Sequence, residues 1–349
     1  MQDIATAAGV SRMTVSLALR NSPKISRATS RRIQKLSATL GYHPDPLIQR
    51  LTTHLARIHC RSEGQVIAWI NAWKNRTEWR KFFAYEAMYQ GAAACAQQRG
   101  YLLQEFWLGE PGMTGKKLSR ILHQRGIECL LVGPLAQGGG ELTMDWDKFS
   151  SVAIGYSMAT PQLNRVVNHQ LHSAREAIQQ LHGRGYRRIG LSTRIDDNLR
   201  VDHSWLEAMT YHHSQIPVKD RVRPLIHEQS PVKSLLRWIE KERPDSIIIQ
   251  GAWLREALIK AGYQLPRDLG VALLDWPDGT PEMAGINQRH DAVGQTAVNI
   301  VIGQSYTNEK GIPSVPRTVM IEGYWVEGNS IEKTRLMSGK KSVRILTPL

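Results

Sequence analysis

The sequence predicts an α/β protein that begins with a small helical segment. Three observations support this prediction. The first 20 residues carry apolar residues at helical spacing on both sides of Gly9. Beyond Gly64, short apolar runs alternate with amphipathic stretches, which is the rhythm of parallel strands joined by helices. The length of 349 residues is long for one domain and suggests two or three.

The N-terminal segment is predicted to form two short helices joined by a tight turn. Ile4 and Ala8 lie on one helical face, and Gly9 ends that helix because glycine takes the left-handed conformation at little cost. Ser11 is placed to cap the next helix, whose apolar stripe begins at Val15. This pattern is typical of a helix-turn-helix, whose second helix enters the DNA major groove. An αα-hairpin inside a helical bundle would show the same pattern.

Positive charge is concentrated at the front of the chain. The formal net charge is +14, and residues 1–63 hold ten Lys and Arg against three acids, a net +7. Such a balance favours a polyanionic partner. A third helix is predicted within 22–42 with Ser26 as its N-cap. Its basic face either contacts phosphates or is simply solvated, and it carries Arg31, Arg32 and Lys35.

A short helix is predicted after the two prolines that end this third helix. Pro46 suits the first helical position after an Asp45 cap, and the helix then runs through Leu51 to about Ala56. A helix this short is marginal in water on its own. We therefore expect it to need a partner helix or a DNA surface.

Residues 3–56 resemble the DNA-binding headpiece and hinge of the LacI/GalR family of transcriptional regulators. The chain carries the pattern D-I-A-x-x-A-G-V-S-x-x-T-V-S-x-x-L, followed by I-S-x-x-T and L-G-Y-x-P. The resemblance implies that the second helix reads base edges and that the hinge helices of a dimer wedge leucines into a minor-groove step. The DNA-contacting residues implied in this way are Ser11, Arg12, Met13, Thr14, Ser16, Leu17, Arg20, Asn21, Lys24, Ile48 and Leu51.

Two positions depart from the family pattern. Many members carry Arg where this chain has Leu17, and that Arg reads a guanine; leucine can only contact a thymine methyl group. The operator sequence that this chain recognises therefore cannot be predicted from the operators of better-known relatives. In the hinge, Asp45-Pro46 stands where members usually have Asn followed by a small or basic residue. The added carboxylate is expected to weaken hinge contacts with phosphates modestly.

The remaining elements follow from apolar runs and helical spacing. Apolar runs of three to six residues predict strands, and amphipathic spacing predicts helices between them. The predicted strands are 66–70, 102–107, 127–132, 151–154, 189–192, 246–250, 271–274 and 319–321, and the predicted helices are 84–99, 118–124, 173–182, 200–213, 232–242 and 291–303.

Two consecutive α/β subdomains in residues 63–326 resemble the effector domain of the same family, which is similar to periplasmic sugar-binding proteins. In such sheets ligands bind outside the carboxyl ends of the strands. The resemblance implies that Asp275 accepts hydrogen bonds from a sugar hydroxyl. Tryptophans at strand ends could stack on a ring or simply pack the core. The predicted effector-binding residues are Asn71, Trp73, Tyr156, Arg200, Trp205, Gln250, Asp275, Trp276, Gln288 and His290.

Several classes of protein are disfavoured by what the sequence lacks. It has no run of 18 apolar residues, so a membrane span is not expected. It has no signal peptide pattern, and its three widely spaced cysteines suit free thiols in the cytoplasm. His169 and His172 have i, i+3 spacing, but no Cys or carboxylate set completes a metal site around them. No catalytic residue set has a defensible spacing, so no enzyme, metal or cofactor is predicted.

These observations predict a ligand-responsive transcriptional regulator, acting as a repressor. We expect a homodimer on double-stranded operator DNA, because residues 327–349 show no leucine repeat for a higher assembly. The effector is expected to be a sugar or sugar derivative, with a purine or sugar acid as alternatives. Other functions to be tested are a carbohydrate-binding protein or enzyme, and an architectural DNA-binding protein. The predicted segments are a helix-turn-helix domain 1–43, hinge 44–62, effector and dimerisation domain 63–326 and basic tail 327–349.

Overall fold

The computed structural model describes residues 2–19, 25–41, 65–228 and 232–332. The helices are α1 Gln2–Ala8, α2 Arg12–Leu19, α3 Arg27–Thr39, α4 Phe83–Gln98, α5 Gly115–Gln124, α6 Gln170–Gly183, α7 Ile195–Arg200, α8 Ser204–Gln215, α9 Val232–Glu242, α10 Trp253–Lys260 and α11 His290–Thr307. The strands are β1 Gln65–Asn71, β2 Tyr101–Trp107, β3 Cys129–Val132, β4 Gly140–Glu141, β5 Ser150–Ile154, β6 Met158–Thr160, β7 Asn164–Asn168, β8 Ile189–Arg194, β9 Leu225–His227, β10 Ser246–Ile249, β11 Gly270–Leu273, β12 Ala284–Asn287, β13 Thr318–Ile321 and β14 Tyr324–Val326.

The chain divides into two compact units. Unit 1 comprises the residues up to Val167 together with His290–Val319, and unit 2 comprises Asn168–Arg289 together with the residues from Met320 onward. The α/β alternation that the sequence predicts is therefore present in both units. Among the described residues, none of the helices combines the length and the apolar character that a membrane crossing needs.

The three N-terminal helices share a small apolar core. Ile4 and Ala5 of α1, Val15 and Ala18 of α2 and Ile33 of α3 are all buried against one another. These are the apolar faces that helical spacing predicts. The Ser26 side chain accepts a hydrogen bond from the Thr29 backbone N–H at the start of α3, which confirms the predicted cap.

The sheet of unit 1 has the strand order β13-β7-β5-β3-β1-β2. The pairs from β7 to β2 are parallel. Strands β3 and β5 are buried along their whole length, which explains their nearly continuous apolar sequence. Behind the sheet, α4 and α11 approach closely at two glycines. A Cβ at Gly294 would lie 1.9 Å from the Met88 carbonyl oxygen, and one at Gly91 would lie 2.1 Å from that of Asp291.

The sheet of unit 2 has the order β14-β12-β11-β10-β8-β9. Its neighbouring strands are paired in parallel except β12 with β14, which are antiparallel. Tyr186 and Leu191 are buried on one side of the sheet, and Trp238 and Leu258 are buried with a second cluster. Strands β10 and β11 are buried at every residue, so the residues at their carboxyl ends follow from fully packed strands.

Two predictions from the sequence were wrong. The single helix expected over 200–213 is broken, because Asp202 and His203 have φ values of 53° and 60° and so cannot continue a right-handed helix. The basic tail does not start at residue 327. Ser330 exchanges hydrogen bonds with Val271, whose N–H donates to the Ser330 carbonyl at 2.8 Å, and Ile331 is buried in unit 2. Packed structure therefore continues to Glu332.

Several short elements were not predicted from the sequence. Strands β7, β9, β12 and β14 are three to five residues long and lack a clear apolar pattern. Helix α10 has only eight residues. Such segments take their conformation from the neighbours they pack against rather than from their own composition.

Candidate functional site

The turn between α1 and α2 is fixed by two local features. Gly9 has a φ of +62°, which glycine adopts without strain, and the Val10 N–H donates to the Ala5 carbonyl at 3.0 Å to close the end of α1. Ser11 Oγ then accepts a hydrogen bond from the Thr14 N–H at 3.1 Å. Ser11 is therefore the N-cap of α2, as predicted.

The first turn of α2 projects its side chains away from the core. Ser11, Arg12 and Met13 are exposed, and the apolar Met13 side chain is 72% exposed. Thr14, Ser16 and Leu17 are partly buried, while Val15 and Ala18 face inward. The residues that a recognition helix uses, those at its N-terminal end, are thus the accessible ones.

Helix α3 holds the other two helices by side-chain contacts to their carboxyl ends. Arg32 Nη2 donates to the Ala8 carbonyl at 3.0 Å, and Ser30 Oγ donates to the Ala18 carbonyl at 2.9 Å. Arg32 therefore has a structural role, which the basic-face interpretation did not anticipate. Arg31 and Lys35 on the same helix are exposed.

Five of the predicted DNA-contacting residues lie outside the described residues: Arg20, Asn21, Lys24, Ile48 and Leu51. The predicted hinge 44–62 lies there as well. Their roles stay predictions.

Asn71 is the last residue of β1 and Tyr156 lies two residues after β5, so both are at the carboxyl edge of the unit 1 sheet, with β3 between their strands. Asn71 is buried, and its Nδ2 donates to the Arg76 carbonyl at 2.8 Å and to Glu105 Oε1 at 2.9 Å. Its Oδ1 accepts the Trp73 N–H at 3.0 Å. In this structure Asn71 organises the loop after β1. The guanidinium of Arg165 lies 5.6 Å from the centre of the partly exposed Tyr156 ring.

Trp73 and His290 are both buried in unit 1. The Trp73 indole N–H donates to the Pro134 carbonyl at 2.7 Å, and its own carbonyl accepts from the Trp107 indole at 2.8 Å. His290 begins α11, and its ring meets that of Phe83 edge-on at 5.7 Å. Trp73 therefore packs the end of the sheet, and stacking on a ligand would require its indole to leave Pro134.

Gln250, Asp275 and Gln288 follow three neighbouring strands of unit 2, β10, β11 and β12. The parallel register brings their carboxyl ends to one edge. Gln250 and Asp275 are partly exposed there. A carboxylate flanked by an amide can accept and donate hydrogen bonds to a polyhydroxylated molecule. This edge is the best candidate ligand surface among the described residues.

Gln288 is buried and lies at the centre of a hydrogen-bond network. Its Nε2 donates to the Leu274 carbonyl at 2.7 Å, which fixes the residue before Asp275. Its Oε1 accepts from Gln170 Nε2 at 2.8 Å, and Gln170 Oε1 accepts the Trp205 indole N–H at 2.9 Å. Gln288 and Trp205 are therefore part of the hydrogen-bond network that holds the residues of this edge in place. The sequence analysis did not identify Gln170 as part of this network. The only signal for it is that the indole N–H of a buried tryptophan such as Trp205 needs a hydrogen-bond acceptor.

Arg200 and Trp276 also make contacts within their own segments. Arg200 Nε donates to Asp196 Oδ2 at 2.7 Å, one helical turn earlier. Burial raises the pKa of the neighbouring Asp197, against the attraction of Arg194 and Arg200. The Trp276 indole donates to the Met283 carbonyl at 2.8 Å and so closes the loop after β11. A ligand role for these two residues stays a prediction.

Comparison with known proteins bears on both parts of the chain. Residues 1–45 match the family model "Bacterial regulatory proteins, lacI family", and they contain the whole exposed first turn of α2. The N-terminal segment is therefore similar to the DNA-binding segment of LacI-family regulators. A relative of known name, the HTH-type transcriptional regulator PtxS of Pseudomonas plecoglossicida, is 26% identical over 190 residues. That alignment covers 54% of this chain, and the chain spans about half (52%) of the relative's length.

Solved structures with a similar fold include transcriptional regulators that carry a periplasmic-binding-protein-like domain. A transcriptional regulator CelR–cellobiose complex has a TM-score of 0.56 and 19% identity, covering 94% of this chain and 98% of that one. The lac repressor dimer bound to operator and the anti-inducer ONPF has a TM-score of 0.55 and 16% identity, covering 94% and 97%. A periplasmic binding protein/LacI regulator from Alkaliphilus metalliredigens, complexed with D-xylulofuranose, has a TM-score of 0.55 and 14% identity, covering 77% and 100%. At these identities the similarity concerns the fold.

Proposed function

We propose that this chain is a LacI-family repressor that binds operator DNA as a homodimer and is controlled by a sugar or sugar derivative. The observation that carries the proposal is the exposed N-terminal turn of α2, with Ser11, Arg12 and Met13 outward and Val15 inward. This turn lies within the segment that matches the family model. A dimer would place two such turns on half-sites about one helical turn apart, so the operator should be pseudo-palindromic.

The effector part of the proposal is supported by the carboxyl edge of the unit 2 sheet. Asp275 would accept hydrogen bonds from ligand hydroxyls, and Gln250 would donate and accept beside it. Two solved structures of the same fold are complexes with sugars, cellobiose in one and D-xylulofuranose in the other. Buried Gln288 would hold the edge in place rather than bind the ligand through its own amide.

The DNA-binding part is tested by selecting bound fragments from a genomic library with the full chain, and then measuring affinity for the selected site. Arg12→Ala should weaken binding to the selected site by about 5- to 150-fold, since a specific base contact of Arg is worth about 1–3 kcal/mol. Arg120→Ala, which removes an exposed arginine from α5, is the matched control and should leave affinity unchanged. Recovery of no enriched site, or equal effects of the two variants, would argue against the proposal.

The effector part is tested by thermal shift of the full chain against a panel of sugars, sugar acids and purines. A sugar that raises the melting temperature should lose its effect in Asp275→Asn, which keeps the shape but removes the charge of the acceptor. Asp202→Asn is the control, because Asp202 is exposed in unit 2 and asparagine tolerates its left-handed backbone. A response confined to purines or sugar acids would replace the sugar assignment, and a response unchanged in Asp275→Asn would move the site elsewhere.

A further inference from the structure

A cluster of two imidazoles and one carboxylate lies at the start of α6. His169 directly precedes this helix and His172 is in its first turn, and their rings stack with centroids 5.5 Å apart. Glu322 directly follows β13, 153 positions beyond His169 along the chain. The His169 backbone N–H donates to the Ile321 carbonyl at 2.9 Å. This backbone contact holds the carboxylate beside the helix start, which no spacing in the sequence could indicate.

The three side chains converge on one small region. Glu322 Oε1 lies 3.0 Å from His169 Nδ1, and Glu322 Oε2 lies 3.1 Å from His172 Nε2. One potential ligand atom from each residue lies within 4.8 Å of the other two. The side chain of His169 makes no capping hydrogen bond to α6, so a capping role does not account for the arrangement. The three side chains are 31%, 45% and 60% exposed, so an ion in solution has access to them.

We propose that His169, His172 and Glu322 form a binding site for a divalent transition metal ion of the zinc class. Two imidazole nitrogens and a carboxylate oxygen are a ligand set that zinc accepts in tetrahedral geometry, with the fourth position left to water. Ligand atoms about 2.0–2.2 Å from zinc lie roughly 3.3–3.5 Å apart at tetrahedral angles. The two nitrogens lie 3.0 and 3.1 Å from the two different oxygens of Glu322, and the potential ligand atoms all lie within 4.8 Å of one another, so binding one ion requires the Glu322 side chain to rotate and the ligand atoms to shift slightly.

The charge of Glu322 is essential to this site. The N-terminal end of a helix carries partial positive charge and disfavours a nearby cation. His169 and His172 lie at the N-terminal end of α6, and Glu322 supplies the negative charge that offsets it. Replacing Glu322 by the isosteric glutamine should therefore weaken metal binding at least as much as removing one imidazole. Hard, oxygen-preferring cations are disfavoured because two of the three ligands are nitrogen.

A bound ion would tie together two segments of unit 2 that are distant in sequence. His169 lies two residues after Val167, where the chain leaves unit 1, and Glu322 lies three residues after Val319, where it leaves unit 1 again. Metal that binds only the folded chain stabilises it by mass action. The expected consequence is a metal-dependent rise in the melting temperature, independent of any effector.

The test is equilibrium dialysis of the full chain, prepared without a histidine tag, against ZnCl2. We expect one Zn²⁺ per chain that is lost on dialysis against EDTA. His172→Asn and Glu322→Gln should each weaken binding by about tenfold or more, since even an outer-shell partner contributes that much. His123→Asn, an exposed histidine of α5, is the matched control and should bind Zn²⁺ as the unaltered chain does.

A spectroscopic measurement reports on the site directly. With one equivalent of Cu²⁺, electron paramagnetic resonance should show coupling to two imidazole nitrogens in the unaltered chain and to one in His172→Asn. Circular dichroism of the metal-free variants checks that each is folded. If Glu322→Gln does not fold, His172→Asn, which changes an exposed residue of α6, tests the metal site instead. No bound Zn²⁺ at excess metal overturns the proposal. Equal Zn²⁺ binding by all variants also overturns the proposal, because the ion must then be bound by other residues, such as the other ten histidines of the chain.

Discussion

At the scale of single residues, the amides of Gln170 and Gln288 connect the candidate ligand edge to Trp205. Gln170 accepts from the Trp205 indole at 2.9 Å and donates to Gln288 at 2.8 Å, so its removal leaves both partners unsatisfied. Gln170→Leu should lower the free energy of unfolding by about 1–3 kcal/mol. Chemical denaturation measures this difference. The control is Gln124→Leu at an exposed position of α5, and a loss of equal size in both variants would contradict the network's role.

His212 gives the chain an acid-sensitive element in unit 2. The pKa of His212 is lowered to about 4, mainly by burial and in addition by the charges of the neighbouring His182 and His213. An unfolded chain would protonate this ring near pH 6.5. The folded state therefore keeps its full stability above pH 6.5 and loses stability progressively as the pH falls towards 4. Because the ring is partly exposed, we expect a loss of about 1–2 kcal/mol.

The measurement is urea unfolding between pH 7 and pH 4. His212→Phe keeps an aromatic ring without the titrating group, so its stability should fall less steeply over this interval. His123→Phe, at an exposed position of α5, should keep the slope of the unaltered chain. Identical slopes for all three proteins would show that His212 does not cause the acid sensitivity.

At the scale of elements, the sequence predicted what depends on local pattern and missed what depends on neighbours. The buried strands β1, β3, β5, β10 and β11 were predicted because their apolar runs are long enough to stand out. The strand-end positions of Gln250 and Asp275 followed from them. The break at Asp202 and His203 was missed because left-handed backbone leaves no mark in the apolar spacing. The partners of Gln288 and His169 were missed because Gln170 and Glu322 reach them only in the fold.

The contact between α4 and α11 depends on glycine and offers a sharp test at this scale. A Cβ at position 294 would lie 1.9 Å from the Met88 carbonyl oxygen and 2.7 Å from the Ala92 nitrogen, both backbone atoms that cannot rotate away. Gly294→Ala should therefore destabilise the chain by about 1–3 kcal/mol. Gly303→Ala in the same helix meets no atom within 4 Å and should stabilise it by about 0.5–1 kcal/mol. We therefore expect the melting temperature to fall in Gly294→Ala and to rise in Gly303→Ala, and a change of the same sign in both variants would contradict the close contact at Gly294.

At the scale of the whole molecule, the charge of the front segment should appear in the salt dependence of DNA binding. Each phosphate contact adds about −0.9 to the slope of log affinity against log salt concentration. Arg31 is exposed on α3, and Arg31→Gln should make the slope shallower by about 1 without changing the preferred site. Arg120→Gln removes the same charge outside residues 1–63 and should leave the slope unchanged. Equal slopes for both variants would place Arg31 away from the backbone of DNA.

The proposed function also makes a thermodynamic demand on the chain as a whole. If an effector changes operator affinity by some factor, operator DNA must change effector affinity by the same factor, typically 5–150-fold in coupled systems. Both quantities can be measured by fluorescence titration, with labelled operator in one direction and the ten native tryptophans in the other. We expect the two factors to agree within error, and we expect Asp275→Asn to abolish the effector's influence while operator binding in its absence is retained. A sugar that binds tightly but gives a factor of one in both directions would separate the sugar site from DNA control.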